Sequence, residues 1–220
     1  MELTMMAEWL NQTFSSYDQT IFLLLHQSAE MAGGFLTPLM RLITLLGEKG
    51  LLFFLTAAVL MCFSQTRKTG ICLFGAVCCG ALITNIILKD WIARPRPFDA
   101  LPLYREWWDF VGAPAEDGFS FPSGHMTATA AGMTALSLMK GRKYVCPVIF
   151  AVLLMGISRN YLMAHYPSDV LAATVIGMFS AGTAFLITRG IYWVLVKYRE
   201  NGICRFVLEF DVRQSRKTRL

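Results

Sequence analysis

FPSGHMTA, residues 121–128, sets a polar cluster against the start of an apolar run. Ser123 is a good helix N-cap, and Gly124 lets backbone amides approach an anion at the positive end of a helix dipole. His125 then falls in the first turn, and it is one of three histidines in the chain. A titratable ring at the mouth of an apolar, membrane-embedded helix is costly and points to function.

Outward from that stretch, five apolar blocks stand out: Leu51–Ser64, Gly70–Leu88, Met126–Met139, Tyr144–Ile157 and Val170–Thr188. Each has the length of a helix, although several fall short of the ~20 residues of a full crossing. The 220 residues are 55% hydrophobic and 16% charged, against about 25% charged in a soluble domain. This pattern predicts an all-α integral membrane bundle of five to six transmembrane helices, forming one membrane domain over residues 1–220. Region 17–46, interrupted by His26, Glu30 and Arg41, reads as a sixth crossing or as an interfacial helix followed by a partly inserted one. The expected subdivision is an N-terminal interfacial or partly inserted part (1–46), a catalytic core (51–188) and a basic cytoplasmic tail (189–220). The opening MELTMMAEWL has two Glu and no positive n-region, which predicts no cleavable signal peptide.

The net charge of +5 could suggest nucleic acid, but its placement argues for a membrane. Arg67 and Lys68, then Lys140, Arg142 and Lys143, then Lys197 and Arg199 fall at loops on one side if every block crosses. That side is cytoplasmic by the positive-inside rule, and a basic tail beside anionic lipid needs no nucleic-acid partner. The six cysteines have no zinc-site spacing and read as small packing residues.

Three polar clusters remain, and parity returns all of them to the opposite end of the bundle. They are KDWIARPRP (89–97), PSGH (122–125) and SRNYLMAHYPSD (158–169). Lys89, Arg96 and Arg159 supply cations suited to phosphate oxygens. Ser123 and Gly124 add a helix N-terminus, so the set describes a pocket for a tetrahedral oxyanion. His125 and His165 titrate near neutrality; one can attack phosphorus and the other protonate the leaving oxygen. Asp169, four residues after His165, is near enough to hold one ring nitrogen. Taken singly, Lys89 and Arg94 could be snorkelling anchors, Ser123-Gly124 a cap, and Arg159–Asp169 an ion pair. Gathered on one face, they are hard to assign to packing alone.

In order, residue type and spacing, Lys89-x6-Arg96-Pro97, Pro122-Ser123-Gly124-His125 and Ser158-Arg159-x5-His165-x3-Asp169 resemble the signature of the type 2 phosphatidic acid phosphatases. These are the membrane branch of a superfamily shared with vanadium-dependent haloperoxidases, and the resemblance spans about Leu51 to Thr188. It implies a haloperoxidase-like core and metal-independent hydrolysis of a lipid phosphate, with no cofactor. Lys89, Arg96 and Arg159 would bind the phosphate, with Ser123 and Gly124 donating to its oxygens. His165 would form a phosphohistidine, oriented by Asp169, and His125 would protonate the leaving group. Undecaprenyl pyrophosphate, phosphatidylglycerophosphate and phosphatidic acid are the substrates the resemblance suggests, acted on at the extracytoplasmic face of a bacterial plasma membrane. The same residues would serve a lipid phosphotransferase, or a non-catalytic phospholipid transporter or scaffold. Met163-Ala164 and Ala172-Ala173 depart from the commoner small residues or Gly. The Trp-rich REWWDF (105–110) is expected to border lipid entry, because Trp favours the interface.

Overall fold

The computed structural model describes residues 3–213. Within them the chain forms α1 (Met5–Thr13), α2 (Ser15–Met31), α3 (Thr37–Leu46), α4 (Leu51–Met61), α5 (Arg67–Ala81) and α6 (Lys89–Ile92). There follow α7 (Pro97–Ala100), α8 (Pro102–Phe110), α9 (Gly124–Lys140), α10 (Val145–Tyr161), α11 (Pro167–Lys197) and α12 (Gly202–Glu209). A π-helical segment, Leu82–Leu88, joins α5 to α6. Four stretches among the described residues are long and apolar enough to cross a membrane: Thr37–Met61, Arg67–Ala100, Arg142–Tyr161 and Pro167–Lys197. The chain is a multi-pass, all-α membrane protein.

The short helix α9 lies at the centre, against α5, α10 and α11. Its run Thr127–Gly132 is small and buried, so backbones come close. A Cβ on Gly177 of α11 would stand 2.6 Å from Ala130 Cβ and 2.7 Å from the Thr127 carbonyl oxygen. Lipid gives little hydrophobic drive between helices, and close contact of small residues holds them instead. The large side chains point the other way: Leu171, Val175, Phe179 and Leu186 of α11 are exposed, where acyl chains would meet them.

The chain departs from the sequence reading at both ends. The last apolar block stops at Thr188, but α11 continues to Lys197, because Arg189 and Lys197 can carry their charges to the interface on long stems. Beyond it α12 packs against α11 and is tied to the corner between α4 and α5 by one side chain. Buried Arg67 donates from Nε to the Met61 carbonyl (2.9 Å), from Nη1 to that of Val207 (2.6 Å) and from Nη2 to that of Phe210. Positions 214–220 of the expected tail lie outside the described residues. At the other end, α2 buries Asp18, Phe22 and Ala29 against the bundle. From α3 the chain passes through left-handed Lys49 and Gly50 (φ 47° and 68°) into α4.

REWWDF also turns out differently. It is the second half of α8, whose periodicity turns Tyr104 and Trp107 inward and leaves Leu103 and Phe110 exposed. Trp107 stacks on His26 with ring centroids 4.3 Å apart, and Trp108 packs on Phe98 at 5.0 Å. Trp107 is buried by this packing and Trp108 is half-buried.

Candidate active site

Every polar cluster arrives on a helix end. α6 stops at Ala93, held in the left-handed region at φ 50°, and releases Arg94–Arg96 across the bundle mouth. Loop 111–123 leads into the Ser123 cap of α9. α10 ends just past Arg159, a turn with Met163 at φ 54° presents His165, and α11 begins at Pro167. Between these ends lies a cavity of about 640 Å³, whose walls include Lys89, Arg96, Glu116, Gly124, His125 and His165.

His165 is fully buried, and its Nδ1 lies 2.6 Å from the Ser120 carbonyl oxygen. A carbonyl only accepts, so Nδ1 carries the proton and Nε2 keeps its lone pair. Burial first, then the charges of Arg159 and Arg96, hold the imidazole well below the usual histidine range. It is a neutral ring with one nitrogen tied behind and the other available to the cavity. Across the cavity, His125 Nε2 is 3.2 Å from Glu48 Oε2.

Arg96 is strapped in place: Nε donates to the Gly118 carbonyl (3.0 Å), Nη2 to that of Asp117 (2.8 Å) and Nη1 to that of Ala164 (2.9 Å). Its Nη1 also lies 3.1 Å from Glu116 Oε2, while Glu116 Oε1 accepts from Arg159 Nη2. One carboxylate thus bridges both guanidiniums. Burial alone would push the Glu116 carboxyl up, but Arg159 and then Arg96 outweigh it and hold it below its ordinary value. Arg159 is itself fully buried, and its Nε has no hydrogen-bond partner among the described residues.

Behind His165 runs a second network. Arg94 Nη1 donates to Asp169 Oδ1 (2.5 Å) and Ser168 Oγ (2.8 Å), Nη2 to Asp18 Oδ2 (3.0 Å) and Nε to Asn11 Oδ1 (2.8 Å). The guanidinium also sits 3.7 Å over the Tyr166 ring. Asp169 Oδ2 accepts from the Ser120 hydroxyl and from the Tyr166 amide.

Lys89, Arg96, Gly124, His125 and His165 therefore meet at one cavity. Three other expected residues stand elsewhere. Asp169 makes no bond to the His165 ring; as the third residue of α11 it turns back to cap the helix, and Ser120 comes between them. Ser123 is fully buried and off the cavity wall, its Oγ accepting from the Met126 amide as the N-cap. Arg159 is off the cavity wall and meets it through Glu116 and Thr44, to whose Oγ1 its Nη1 donates at 3.4 Å.

The sequence reading gave no site role to Asp18, Glu48, Glu116 or Ser120, and it took Arg94 only as a candidate snorkelling anchor. Arg94 had a signal: in an extended segment, residues two apart share a side only if nothing twists the chain, and two arginines around one proline deserve two partners. Glu116 had none, since Glu106, Asp109 and Asp117 crowd the same loop.

Compared with known proteins, residues 69–193 match the PAP2 superfamily. Phosphatidylglycerophosphatase B of Bacillus subtilis is 31% identical over 129 residues, covering 54% of this chain and 56% of that protein. An undecaprenyl-diphosphatase of Sulfolobus acidocaldarius is 32% identical over 122 residues, covering 54% and 55%. The chain thus spans about half the length of the curated relatives it matches. Among solved structures, LpxE of Aquifex aeolicus superposes with a TM-score of 0.63 at 22% identity, over 76% of this chain and 93% of that one.

Proposed function

Because the chain belongs to the PAP2 superfamily, we propose that it is a membrane phosphatase that hydrolyses a terminal phosphate or pyrophosphate from a lipid through a phosphohistidine. The observation that carries this reading is the tautomer of His165. With Nδ1–H given to the Ser120 carbonyl, the Nε2 lone pair is free to attack phosphorus. Neutrality matters equally, because a protonated ring has no pair to offer.

In the first step Nε2 of His165 bonds to phosphorus as the bond from phosphorus to the leaving oxygen breaks. His125 gives that oxygen a proton, and Glu48 steadies the imidazolium form. Arg96 and Lys89, with the amide of Gly124, face the oxygens on which charge builds. In the second step neutral His125 takes a proton from water, which attacks phosphorus and frees His165. Asp169 acts at one remove: it accepts from the Ser120 hydroxyl and so steadies the residue whose carbonyl holds the ring.

The relatives' names join a glycerophospholipid phosphate and a prenyl pyrophosphate. Their common feature, a lipid carrying a terminal phosphate, is the substrate class proposed here. The basic loops at the far end of the bundle support an extracytoplasmic active site in a plasma membrane. The test is phosphate release by purified protein across phosphatidylglycerophosphate, phosphatidic acid and undecaprenyl pyrophosphate. Release from at least one, absent in His165→Ala, is expected; equal release by that variant would discard the reading. Orthovanadate, a mimic of five-coordinate phosphorus, is expected to inhibit.

A further inference from the structure

Glu116 stands where an anion is expected. Its oxygens take one guanidinium each, Oε2 that of Arg96 and Oε1 that of Arg159, and it lines the same cavity as Lys89, His125 and His165. Arg159 sits behind this carboxylate and Thr44 at the cavity wall, and it retains a buried Nε with no partner among the described residues. A phosphate that is to take the Nη2 donor of Arg159 must first displace Glu116.

We propose that Glu116 is a specificity-determining residue: a built-in monoanion that only a dianionic terminal phosphate can displace, and that keeps phosphodiester headgroups out of the site. This rests on the cavity being the phosphate site, as argued above. A membrane surface is crowded with phosphodiesters, each with one negative charge and two oxygens blocked by carbon. A bare pocket holding Lys89, Arg96 and Arg159 would take them readily. With Glu116 in place, a diester offers one charge in exchange for one, loses a geometry already fitted, and gains nothing. A terminal phosphate brings a second charge and three free oxygens, enough to engage Arg96, Arg159 and Lys89 together. The carboxylate also lies between two buried guanidiniums while the site is empty and offsets one of their two charges, which lowers their mutual repulsion.

The exchange requires little movement. Arg96 holds the loop through the carbonyls of Asp117 and Gly118 (2.8 and 3.0 Å), not only through Glu116. Gly118 has φ +71°, a turn that sets the loop backbone independently of the carboxylate. The Glu116 side chain can therefore rotate away while Arg96 stays strapped.

The test is titration calorimetry on the purified protein in detergent, above the second ionisation of orthophosphate, with orthophosphate and dimethyl phosphate as probes. Wild type is expected to bind orthophosphate at least ~10-fold more tightly than the diester. In Glu116→Gln the diester should gain more than orthophosphate, so that the preference shrinks several-fold; Glu116→Asp, with a shorter reach, should fall between. A preference unchanged in both variants, or no preference in wild type, would overturn the proposal. The wild-type comparison needs no variant, so a misfolded Glu116→Gln does not rescue the idea. If orthophosphate fails to bind wild type at all, the phosphate-site reading itself falls. Binding without turnover would instead sink only the catalytic reading.

Discussion

Arg94 and Arg96 are two residues apart, equally buried, and employed in opposite ways. Every donor set of Arg94 is met by a fixed protein acceptor: Asp169, Ser168, Asp18 and Asn11, with Tyr166 beneath the guanidinium. Arg96 is fastened by loop carbonyls but shares its remaining charge with Glu116, beside an open cavity. The first network gives four of the guanidinium's five N–H donors to fixed protein groups behind His165, which suits it to positioning. The second is closed by a partner that can leave, so it can bind. A buried cation tells little about function until its partners are counted.

The sharpest way to break that comparison is at the ring between the two networks. His165→Ala should reduce kcat by about 10⁴-fold or more, measured by phosphate release, since no other group replaces a nucleophile. A tenfold loss would remove His165 from the chemistry. His125→Ala is expected to cost a factor of about 10²–10⁴ with a poor leaving group and distinctly less with a good one. An equal loss for both leaving groups would show that His125 is not the proton donor.

Below these in size comes the contrast itself. Arg94→Met leaves Asp18 and Asp169 buried beside an apolar chain, and removing one partner of a buried pair costs about 3–5 kcal/mol. Thermal unfolding in detergent should register it. Lys89, on the cavity wall, has no hydrogen bond or ion pair among the described residues. Lys89→Met should therefore raise KM while shifting stability by less than about 0.5 kcal/mol. If the two variants lost stability equally, the division into positioning and binding networks would be wrong.

The smallest effect concerns pH. His165 is held neutral by burial and by Arg159 and Arg96, below the ordinary histidine range. As pH falls through about 6.5, a normal imidazole would take a proton and lose its nucleophilic pair. His165 should not, so kcat at saturating substrate should hold through that range and fall only at lower pH, as the depressed folded value is reached. The unfolded chain protonates first, so the contribution to stability, present in full above about 6.5, declines as pH drops toward the folded value. An acid limb in kcat centred near 6.5 that persists in His125→Ala would contradict the neutral ring.

Much of the molecule is legible along the chain. Apolar blocks separated by basic turns announce a helical membrane protein, and counting crossings brings the three polar clusters to one end. Lys89, Arg96, His125 and His165 follow from residue type and position, since charges and imidazoles at a bundle end seldom serve packing. Asp169 shows where such reading stops. A spacing of four residues placed it near His165, but it could not reveal that capping α11 would turn the carboxylate toward the Tyr166 amide and Ser120. Trp107 teaches the same lesson, because composition suggests an interface and helix periodicity turns that indole inward.

By itself, the sequence determined the solvent, the apolar helices and the residue types that line the cavity, because hydropathy and residue type are local properties that a linear chain carries intact. Only the tertiary structure decided the partners: Asp18 from the second helix on Arg94, Glu48 on His125, Ser120 on His165, and Glu116 between two guanidiniums. Those contacts join positions far apart in the chain, and a carboxylate acquires its role from the charge it finally meets, which no local pattern encodes.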